Sequence, residues 1–235
     1  MSAERLPGKP LLEINNLPVI SHVVKRGEET GLGEVIVCAE DKQILLAVEK
    51  NGGKAILTGN YHKNGTERIG EALEKLKKRD IDFVISLQGD EPAINPVDIK
   101  KLFYFMTKNN SEIGTLASVI KDNSELNNKN IVKVTTLEKL EKNNFLIAKN
   151  FSRNAFLKES HYIYHHIGVY CYKISTLKKF VKLKQTSNEI KNRLEQLRAM
   201  DNDININVAL AESSTIGIDT QEDYIALKKI MEYKS

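Results

Sequence analysis

Two acidic segments of the chain carry side chains suited to binding a divalent cation. The first is QGDEP, residues 88–92, in which Asp90 directly follows the apolar residues 83–87. A glycine that lets a ligand approach and a proline that stiffens the chain make such a carboxylate suitable for Mg²⁺ held near phosphates. An ordinary acidic loop is the alternative interpretation.

The second acidic segment is GIDTQEDY, residues 217–224, in which Asp219 follows the apolar residues 206–210 by a short connection. Its carboxylate is the second candidate metal ligand. The alternative is that Asp219 or Thr220 caps the last helix, with Glu222 completing the cap.

Two further segments combine glycine with basic residues, which is a composition that binds phosphate. RLPGKPL, residues 5–11, contains Arg5, Gly8 and Lys9. HKNGTERIG, residues 62–70, offers a guanidinium and the backbone N–H groups of a helix start through Gly65, Thr66 and Arg68. The alternative for the second segment is a polar cap with Thr66 as the N-cap residue.

Composition limits the class of protein. The chain has 235 residues, of which 41% are hydrophobic and 28% charged, and this fits one large domain or two small ones. A single domain over residues 1–235 is the simpler interpretation, because the sequence has no Pro/Ser-rich linker and no internal repeat. The formal charge of +4 is mild and its lysines are scattered, which argues against nucleic acid as a partner. Cys38 and Cys171 stand far apart in apolar runs and are expected to be reduced, buried thiols. No apolar run approaches the length of a membrane span, so a soluble cytoplasmic protein is expected.

Short apolar strands alternate with amphipathic helices in the first hundred residues. We predict strands at 35–39, 54–57 and 83–87, separated by helices that begin near residues 43 and 67. This βαβαβ order predicts an α/β fold with a mostly parallel sheet and helices on both faces. Further helices are predicted at 97–108, 189–200 and 220–233, further strands at 114–119, 132–136, 166–172 and 206–210, and a loop at 121–130.

The candidate segments follow strands of this predicted sheet. In open α/β sheets, ligands bind outside the carboxyl ends of the strands. We therefore expect QGDEP, HKNGTERIG and GIDTQEDY to contribute to one site, although none of them is specific when taken singly.

The order of seven segments carries a resemblance to a known family. They are, in chain order, RLPGKPL, HKNGTER, QGDEP, FSR, HHIGVY, RLEQLR and GIDTQED. This order resembles the cytidylyltransferases that activate the sugar acid 3-deoxy-manno-octulosonate (Kdo), the CMP-Kdo synthetases, over nearly the whole chain. HIGVY and LEQLR are typical of the Kdo enzymes, whereas RLPGKPL and QGDEP are shared more loosely with other nucleotidyltransferases. The resemblance implies a Rossmann-like nucleotidyltransferase fold with a mixed sheet flanked by helices.

The resemblance also implies roles for individual residues. CTP would be held by Arg5, Gly8, Lys9, Arg68 and Gln88, with Arg5 and Lys9 on its phosphates, and Mg²⁺ would be bound by Asp90 and Asp219. The pocket for the sugar acid would be lined by Arg153, His166, Tyr170, Glu195 and Gln196. A guanidinium pairs with a carboxylate in a bidentate fork, which fits Arg153. Taken without the resemblance, His166 and Tyr170 are also typical of core residues, and Glu195 is typical of an exposed helix face.

The implied reaction is an in-line attack by the anomeric 2-hydroxyl of Kdo on the α-phosphorus of CTP, which gives CMP-Kdo and pyrophosphate. Arg5, Lys9, Asp90 and Asp219 would be the catalytic residues, acting by positioning and charge neutralisation with Mg²⁺ as cofactor. Members of the family supply lipopolysaccharide assembly and work in the cytoplasm as dimers, so a homodimer with no membrane partner is expected.

The sequence departs from the family pattern in several places. The family has a strand and a short basic turn before RLPGKPL, and the printed sequence has neither, which leaves either an upstream start or a truncated copy as explanations. Glu4 stands where a small hydroxyl residue is common, and Asn192 replaces a frequent acidic residue. Two alternative functions therefore remain open, namely a non-catalytic relative and a cytidylyltransferase for a related sugar acid such as 8-amino-Kdo.

Overall fold

The computed structural model describes residues 6–77, 80–154, 162–213 and 217–232. Its strands are β1 Glu13–Ile14, β2 Leu17–Pro18, β3 Ile36–Ala39, β4 Lys54–Leu57, β5 Phe83–Ser86, β6 Ile113–Val119, β7 Lys133–Thr136, β8 Leu146–Ile147, β9 Asn150–Ser152, β10 Tyr162–Lys173 and β11 Ile206–Leu210. Its helices are α1 Val19–Glu28, α2 Lys42–Lys50, α3 Gly65–Leu76, α4 Pro96–Asn109, α5 Asn123–Asn127, α6 Ile174–Phe180, α7 Ser187–Asn192, α8 Leu197–Met200 and α9 Gln221–Glu232, and a 3₁₀ turn covers Lys9–Leu11.

The described residues fall into two compact units. The first comprises residues 6–77, 87–97 and 217–232, and the second comprises residues 80–86, 98–154 and 162–213. The assignment of the whole chain to a single domain stays a prediction. No helix of the described ranges is both long and apolar enough to cross a membrane.

In the first unit, β3 and β4 form a parallel pair, and β1 and β2 form a short antiparallel ladder. The helix between β3 and β4 begins where the Asp41 carboxylate accepts the N–H of Gln43 at 2.7 Å, and the chain turns at Gly52 with a φ of 82°. Two apolar clusters stabilise this unit. One is built around Ile14, Val19, Ile218 and Leu227 and the other around Ile20, Val24 and Val48.

In the second unit, seven strands form one mixed sheet in the order β8-β11-β6-β10-β7-β9, with β5 also paired to β10. β6 and β11 run parallel, whereas β10 is antiparallel to β5, β6 and β7. The α/β class and the mixed sheet are confirmed. The expected excess of parallel pairs is wrong for the described strands, because the twelve-residue β10 reaches three neighbours and opposes them all.

Two predicted elements differ in the structure. The single helix predicted at 189–200 is wrong, because Arg193 adopts a left-handed φ of 52° and divides the segment into α7 and α8. The loop predicted at 121–130 contains α5, since the Asp122 carboxylate accepts the N–H groups of Ser124 and Glu125 and starts a helical turn. The remaining predicted strands and helices are confirmed within two residues, apart from β10, which begins four residues earlier, and residue 233, which lies outside the described residues.

The two cysteines are free thiols. Cys171 is buried, as expected, and burial raises the pKa of its thiol to about 12. Cys38 is half-buried rather than buried, and burial is again the main reason that its pKa rises to about 11. Neither thiol is therefore a reactive thiolate at neutral pH.

A buried ion pair joins α7 to α8. Arg198, which is 0% exposed, donates from Nε to Glu189 Oε2 at 2.8 Å and from Nη2 to Oε1 at 2.6 Å. Its guanidinium also lies 5.0 Å from the ring centre of Phe180. The same glutamate completes a capping box with Thr186 at the start of α7. The pair thus holds both short helices about the turn at Arg193.

We predict that Arg198→Met lowers the free energy of unfolding by about 3–5 kcal/mol, because it leaves the Glu189 carboxylate buried without its cation. Urea denaturation followed by circular dichroism measures this change. The matched control is Lys228→Met, which removes an exposed pair with Glu232 and should cost about 0.5 kcal/mol or less. A loss at Arg198 no larger than that of the control would show that the buried pair does not stabilise the fold.

The same pair should make stability depend on pH. Burial opposes ionisation of Glu189, but the hydrogen bonds from Arg198 and Gln185 outweigh it and lower the pKa of the carboxyl below its usual 4.5. A carboxyl whose pKa is lower in the folded state stabilises the fold above the unfolded pKa and loses this contribution as the pH falls. The stability advantage of the wild type over Glu189→Gln should therefore shrink below about pH 4.5. An advantage that stays constant on acidification would contradict this assignment.

Candidate active site

In the first unit, one ammonium group lies between the two predicted metal ligands. Lys9 Nζ forms an ion pair with Asp90 Oδ2, donates to the backbone carbonyl of Ile218 at 2.8 Å, and lies 3.6 Å from Asp219 Oδ1. Two carboxylates from distant parts of the sequence are thus within reach of a single cation. The structure brings together Lys9, Asp90 and Asp219, as the sequence predicts.

Backbone contacts hold Lys9 and the two carboxylate-bearing segments in place. Gly8 has a φ of 73° and a ψ of 9°, values that favour glycine, and the turn is closed by the N–H of Lys9 donating to Leu6 at 3.3 Å. The N–H of Ile218 donates to the carbonyl of Asp90 at 2.9 Å. This backbone bond ties the two carboxylate-bearing segments together directly.

The start of α9 leaves the Asp219 carboxylate available to Lys9. The Asp223 carboxylate accepts the N–H of Thr220 at 2.9 Å, and the Thr220 hydroxyl accepts the N–H of Asp223 at 3.2 Å. Thr220 and Asp223 therefore form the cap, so the alternative interpretation that Thr220 caps this helix is confirmed. The capping roles given to Asp219 and Glu222 in that interpretation are wrong.

Arg68 is held in the first unit by neighbours close to the end of β4. Its guanidinium forms an ion pair with Glu40 and donates to Thr58 Oγ1 at 2.7 Å and to the carbonyl of Gly59 at 3.1 Å. These contacts fix the orientation of the guanidinium over the segment after the strand. The N-cap of α3 is Asn64, whose side chain accepts the N–H of Glu67, so the alternative that Thr66 caps this helix is wrong.

Glu71 organises the same loop. It accepts hydrogen bonds from the N–H of Gly59, from the hydroxyl of Tyr61 and from His62, and it forms an ion pair with Lys75. The bond from Lys75, followed by those from His62 and Gly59, lowers the pKa of Glu71 to about 2. The carboxylate is therefore ionised at neutral pH and holds the loop that follows β4.

The other predicted nucleotide-binding residues are exposed or not described. Gln88 and Gly65 are exposed, and the carbonyl of Gln88 accepts the N–H of Glu91 at 3.3 Å. Arg5 and Glu4 lie outside the described residues. No group of three or more histidine, cysteine, aspartate or glutamate side chains forms a metal cluster within the described ranges.

In the second unit, Arg153 lies beside a buried lysine that the sequence analysis missed. Lys133, which is 0% exposed, donates to the carbonyls of Asn128 at 2.6 Å and Arg153 at 2.8 Å. The Arg153 guanidinium donates to the carbonyls of Lys129 and Asn130 at 3.4 and 3.3 Å. Burial and the charge of Arg153 lower the pKa of Lys133. Two cations thus lie together at one end of β7, and the sequence signal for the second was the single lysine in the apolar run NIVKV.

His166 and Tyr170 lie side by side on β10, with ring centres 5.4 Å apart. His166 is buried, its Nε2 lies 2.9 Å from Thr115 Oγ1, and its ring also contacts Phe151 edge to face. Burial, with a smaller effect of His165, lowers the pKa of His166 to about 3. The imidazole is therefore neutral at neutral pH.

Glu195 and Gln196 lie in the connection between α7 and α8. Burial raises the pKa of Tyr170, and the charges of Tyr172 and Glu195 raise it further. Gln196 is buried, and its carbonyl accepts the N–H of Ala199 at 3.2 Å. His166, Tyr170 and Glu195 thus belong to one polar neighbourhood in the second unit, with Gln196 adjacent in the chain.

Comparison with known proteins identifies relatives over nearly the whole chain. The sequence pattern of the cytidylyltransferase family matches residues 1–206. A 3-deoxy-manno-octulosonate cytidylyltransferase of Thermodesulfovibrio yellowstonii is 40% identical over 241 residues, which cover 97% of this chain and 93% of the relative. The protein of the same name from Bartonella bacilliformis is 34% identical over 232 residues, which cover 98% of this chain and 95% of the relative.

Solved structures agree with these sequence matches. A UDP-glucose pyrophosphorylase complexed with UDP-glucose shares the fold, with a TM-score of 0.71 at 15% identity over 99% of this chain and 92% of that chain. A CMP:2-keto-3-deoxy-manno-octonic acid synthetase complexed with CTP matches with a TM-score of 0.86 at 33% identity, over 99% of this chain and 95% of that chain. With this fold, these identities and this coverage, the chain belongs to the 3-deoxy-manno-octulosonate cytidylyltransferase family.

Proposed function

We propose that this protein transfers CMP from CTP to the anomeric 2-hydroxyl of Kdo and releases pyrophosphate. The observation that carries the proposal is the convergence of Asp90, Asp219 and the carbonyl of Ile218 on one ammonium group. Phosphoryl-transfer enzymes need a cation site of this kind, because negative charge on the phosphates must be neutralised in the transition state. Membership of the family supports CTP and Kdo as the two substrates.

The donor set fits a magnesium ion. Mg²⁺ prefers oxygen ligands and is commonly bound by one or two carboxylates together with substrate phosphates, rather than by an all-protein cage. Asp90 and Asp219 supply two carboxylates that already share one cation. Mg²⁺ bound there would neutralise phosphate charge and lower the pKa of the attacking hydroxyl.

The nucleotide would be bound by residues of the first unit. Gly8 opens the backbone beside Lys9, whose ammonium would bind the phosphates and stabilise the leaving pyrophosphate together with Arg5. Since Asp90 and Asp219 would hold the metal ion, the Lys9 ammonium that now contacts them would be available to bind the phosphates. Arg68 and Gln88 would complete the nucleotide contacts, with Arg68 oriented by Glu40 and Thr58.

The sugar acid would be bound by residues of the second unit. The Arg153 guanidinium, reinforced by the nearby charge of Lys133, would pair with the carboxylate of Kdo. The neutral His166 and the groups of Tyr170, Glu195 and Gln196 would bind its hydroxyls. Another acceptor, such as 8-amino-Kdo, would use the same carboxylate contact. The setting that we propose is a cytoplasmic homodimer that supplies lipopolysaccharide assembly.

The experiment that tests the function is pyrophosphate release by the purified chain with CTP, Mg²⁺ and Kdo. Release that depends on all three supports the proposal. Release with 8-amino-Kdo but not with Kdo would reassign the acceptor, and no release with either would favour a non-catalytic relative.

We predict that Asp90→Asn and Asp219→Asn each lower kcat by about 10²–10³-fold, because each removes one charged ligand from the cation site. Steady-state pyrophosphate release measures kcat, and circular dichroism checks that the fold is kept. Asp203→Asn is the matched control, since this exposed aspartate has a φ of 57° that asparagine also adopts and lies in the second unit. If Asp90→Asn and Asp219→Asn were as active as the control Asp203→Asn, neither carboxylate would take part in the reaction.

A second prediction concerns the ammonium that occupies the cation site. Lys9→Met should bind Mn²⁺ more tightly than the wild type in the absence of nucleotide, since the competing cation is gone. The same variant should lose pyrophosphate release, because a phosphate contact is also gone. Electron paramagnetic resonance of free Mn²⁺ measures the first effect. Weaker Mn²⁺ binding in Lys9→Met would show that the ammonium does not compete for the carboxylates.

A further inference from the structure

A hydroxyl group fills an irregularity in the central ladder of the second unit. β10 pairs with β6 through Ile167 opposite Leu116 and then Tyr170 opposite Thr115, so Gly168 and Val169 have no partner in β6. The hydroxyl of Thr115, which is 0% exposed, lies 2.7 Å from the carbonyl oxygen of Val169 and 3.2 Å from that of Ile167. The hydroxyl is thus within hydrogen-bond distance of the carbonyl of Val169, a residue that the shift in register leaves without a partner in β6.

The same hydroxyl decides which nitrogen of His166 carries the proton. A hydroxyl has one proton, and a carbonyl oxygen can only accept, so the proton of Thr115 goes to Val169, the nearer carbonyl. The contact of 2.9 Å between Thr115 Oγ1 and His166 Nε2 must then run the other way. His166 donates from Nε2–H, and the threonine oxygen accepts.

The second ring nitrogen is consequently an acceptor. A neutral imidazole that carries its proton on Nε2 has a lone pair on Nδ1. Among the described residues, none donates a hydrogen bond to Nδ1 of His166. The ring is held on its flanks by Phe151 and Tyr170, so its orientation is fixed by packing as well as by the hydrogen bond.

We infer that Thr115 is a positioning residue that fixes His166 as the Nε2–H tautomer, so that Nδ1 accepts a hydrogen bond from a hydroxyl of the sugar acid. The identity of the ligand rests on the proposed function, whereas the tautomer does not. The chemistry is selective. A neutral acceptor nitrogen binds a hydroxyl and repels a carboxylate, which leaves the carboxylate of the sugar acid to the cations Arg153 and Lys133.

The tautomer is tested by nuclear magnetic resonance of the full chain labelled with ¹⁵N in histidine. Two-bond ¹H–¹⁵N correlations distinguish a protonated from an unprotonated ring nitrogen, and His166→Gln assigns the signals. In the wild type, Nε2 should be protonated and Nδ1 unprotonated throughout the range in which the protein is folded. A protonated Nδ1 would overturn the inference.

The role of Thr115 is tested by an isosteric variant. Thr115→Val removes the hydroxyl, so the ¹⁵N shifts of Nδ1 and Nε2 should move toward each other as both tautomers become populated, and Thr115→Ser should restore the original shifts. Thr135→Val is the matched control, because Thr135 is equally buried but its hydroxyl has no hydrogen-bond partner among the described residues. Shifts in Thr115→Val that equal those of the wild type would show that Thr115 does not set the tautomer.

The ligand is tested by adding Kdo to the labelled protein and by kinetics. Kdo should shift the Nδ1 signal of the wild type and leave Nε2 protonated. Thr115→Val should raise KM for Kdo about tenfold, the effect of losing one hydrogen bond, with KM for CTP unchanged. Turnover of Kdo without a change at Nδ1 would overturn the assignment of the hydroxyl. If the wild type does not turn over Kdo, the proposed function fails, while the tautomer signals still decide the role of Thr115.

Discussion

Like charges cannot share a small site without a cation, and this constraint governs the first unit. Asp90 and Asp219 approach each other because Lys9 neutralises them both and donates to the carbonyl of Ile218 as well. The backbone bond between Ile218 and Asp90 holds the two carboxylates in place even if the ammonium leaves. In the proposed function, the two carboxylates would therefore already be in place for a metal–nucleotide complex.

The second unit depends on a related constraint, since its buried polar groups need partners. Lys133 and Arg198 are both 0% exposed, yet the first finds two backbone carbonyls and the second a bidentate carboxylate. The hydroxyl of Thr115 lies within hydrogen-bond distance of His166, Ile167 and Val169. Each of these contacts fixes a segment that carries residues proposed to bind the sugar acid. Lys133 holds the segment of Arg153, Arg198 holds the connection with Glu195 and Gln196, and Thr115 holds His166.

The sequence allows local features to be predicted well and long-range contacts poorly. The strand at Lys54–Leu57 and the helix at Pro96–Asn109 follow from apolar periodicity, which is written in consecutive residues. The break at Arg193 was not predictable from periodicity, because the buried pair between Glu189 and Arg198 stabilises a turn that local propensity does not favour. The predominance of antiparallel pairs was missed for the same reason. Only the three-dimensional placement of β10 decides how many strands it opposes.

The candidate site shows the same division. Asp90 and Asp219 were found from their motifs, and the structure adds that one ammonium joins them. The contact of Thr115 with His166 was not predicted. The residues around Thr115 do not indicate a polar role, and His166 is 51 positions away in the sequence. Lys133 stands in the apolar run NIVKV, but its burial and its two carbonyl partners cannot be predicted from that run.

The separation of charged from neutral groups in the second unit bears on how a sugar acid is chosen. Kdo presents a carboxylate and several hydroxyls, so recognition requires cations at one place and neutral hydrogen-bonding groups at another. In the proposed site, Arg153 with Lys133 would supply the first, and His166, kept neutral by burial, would supply the second. A protonated imidazole would attract a carboxylate to the wrong position. By accepting a hydrogen bond from Nε2–H, Thr115 would keep the histidine in the form that binds a hydroxyl. A residue with no charge of its own would thereby contribute to specificity.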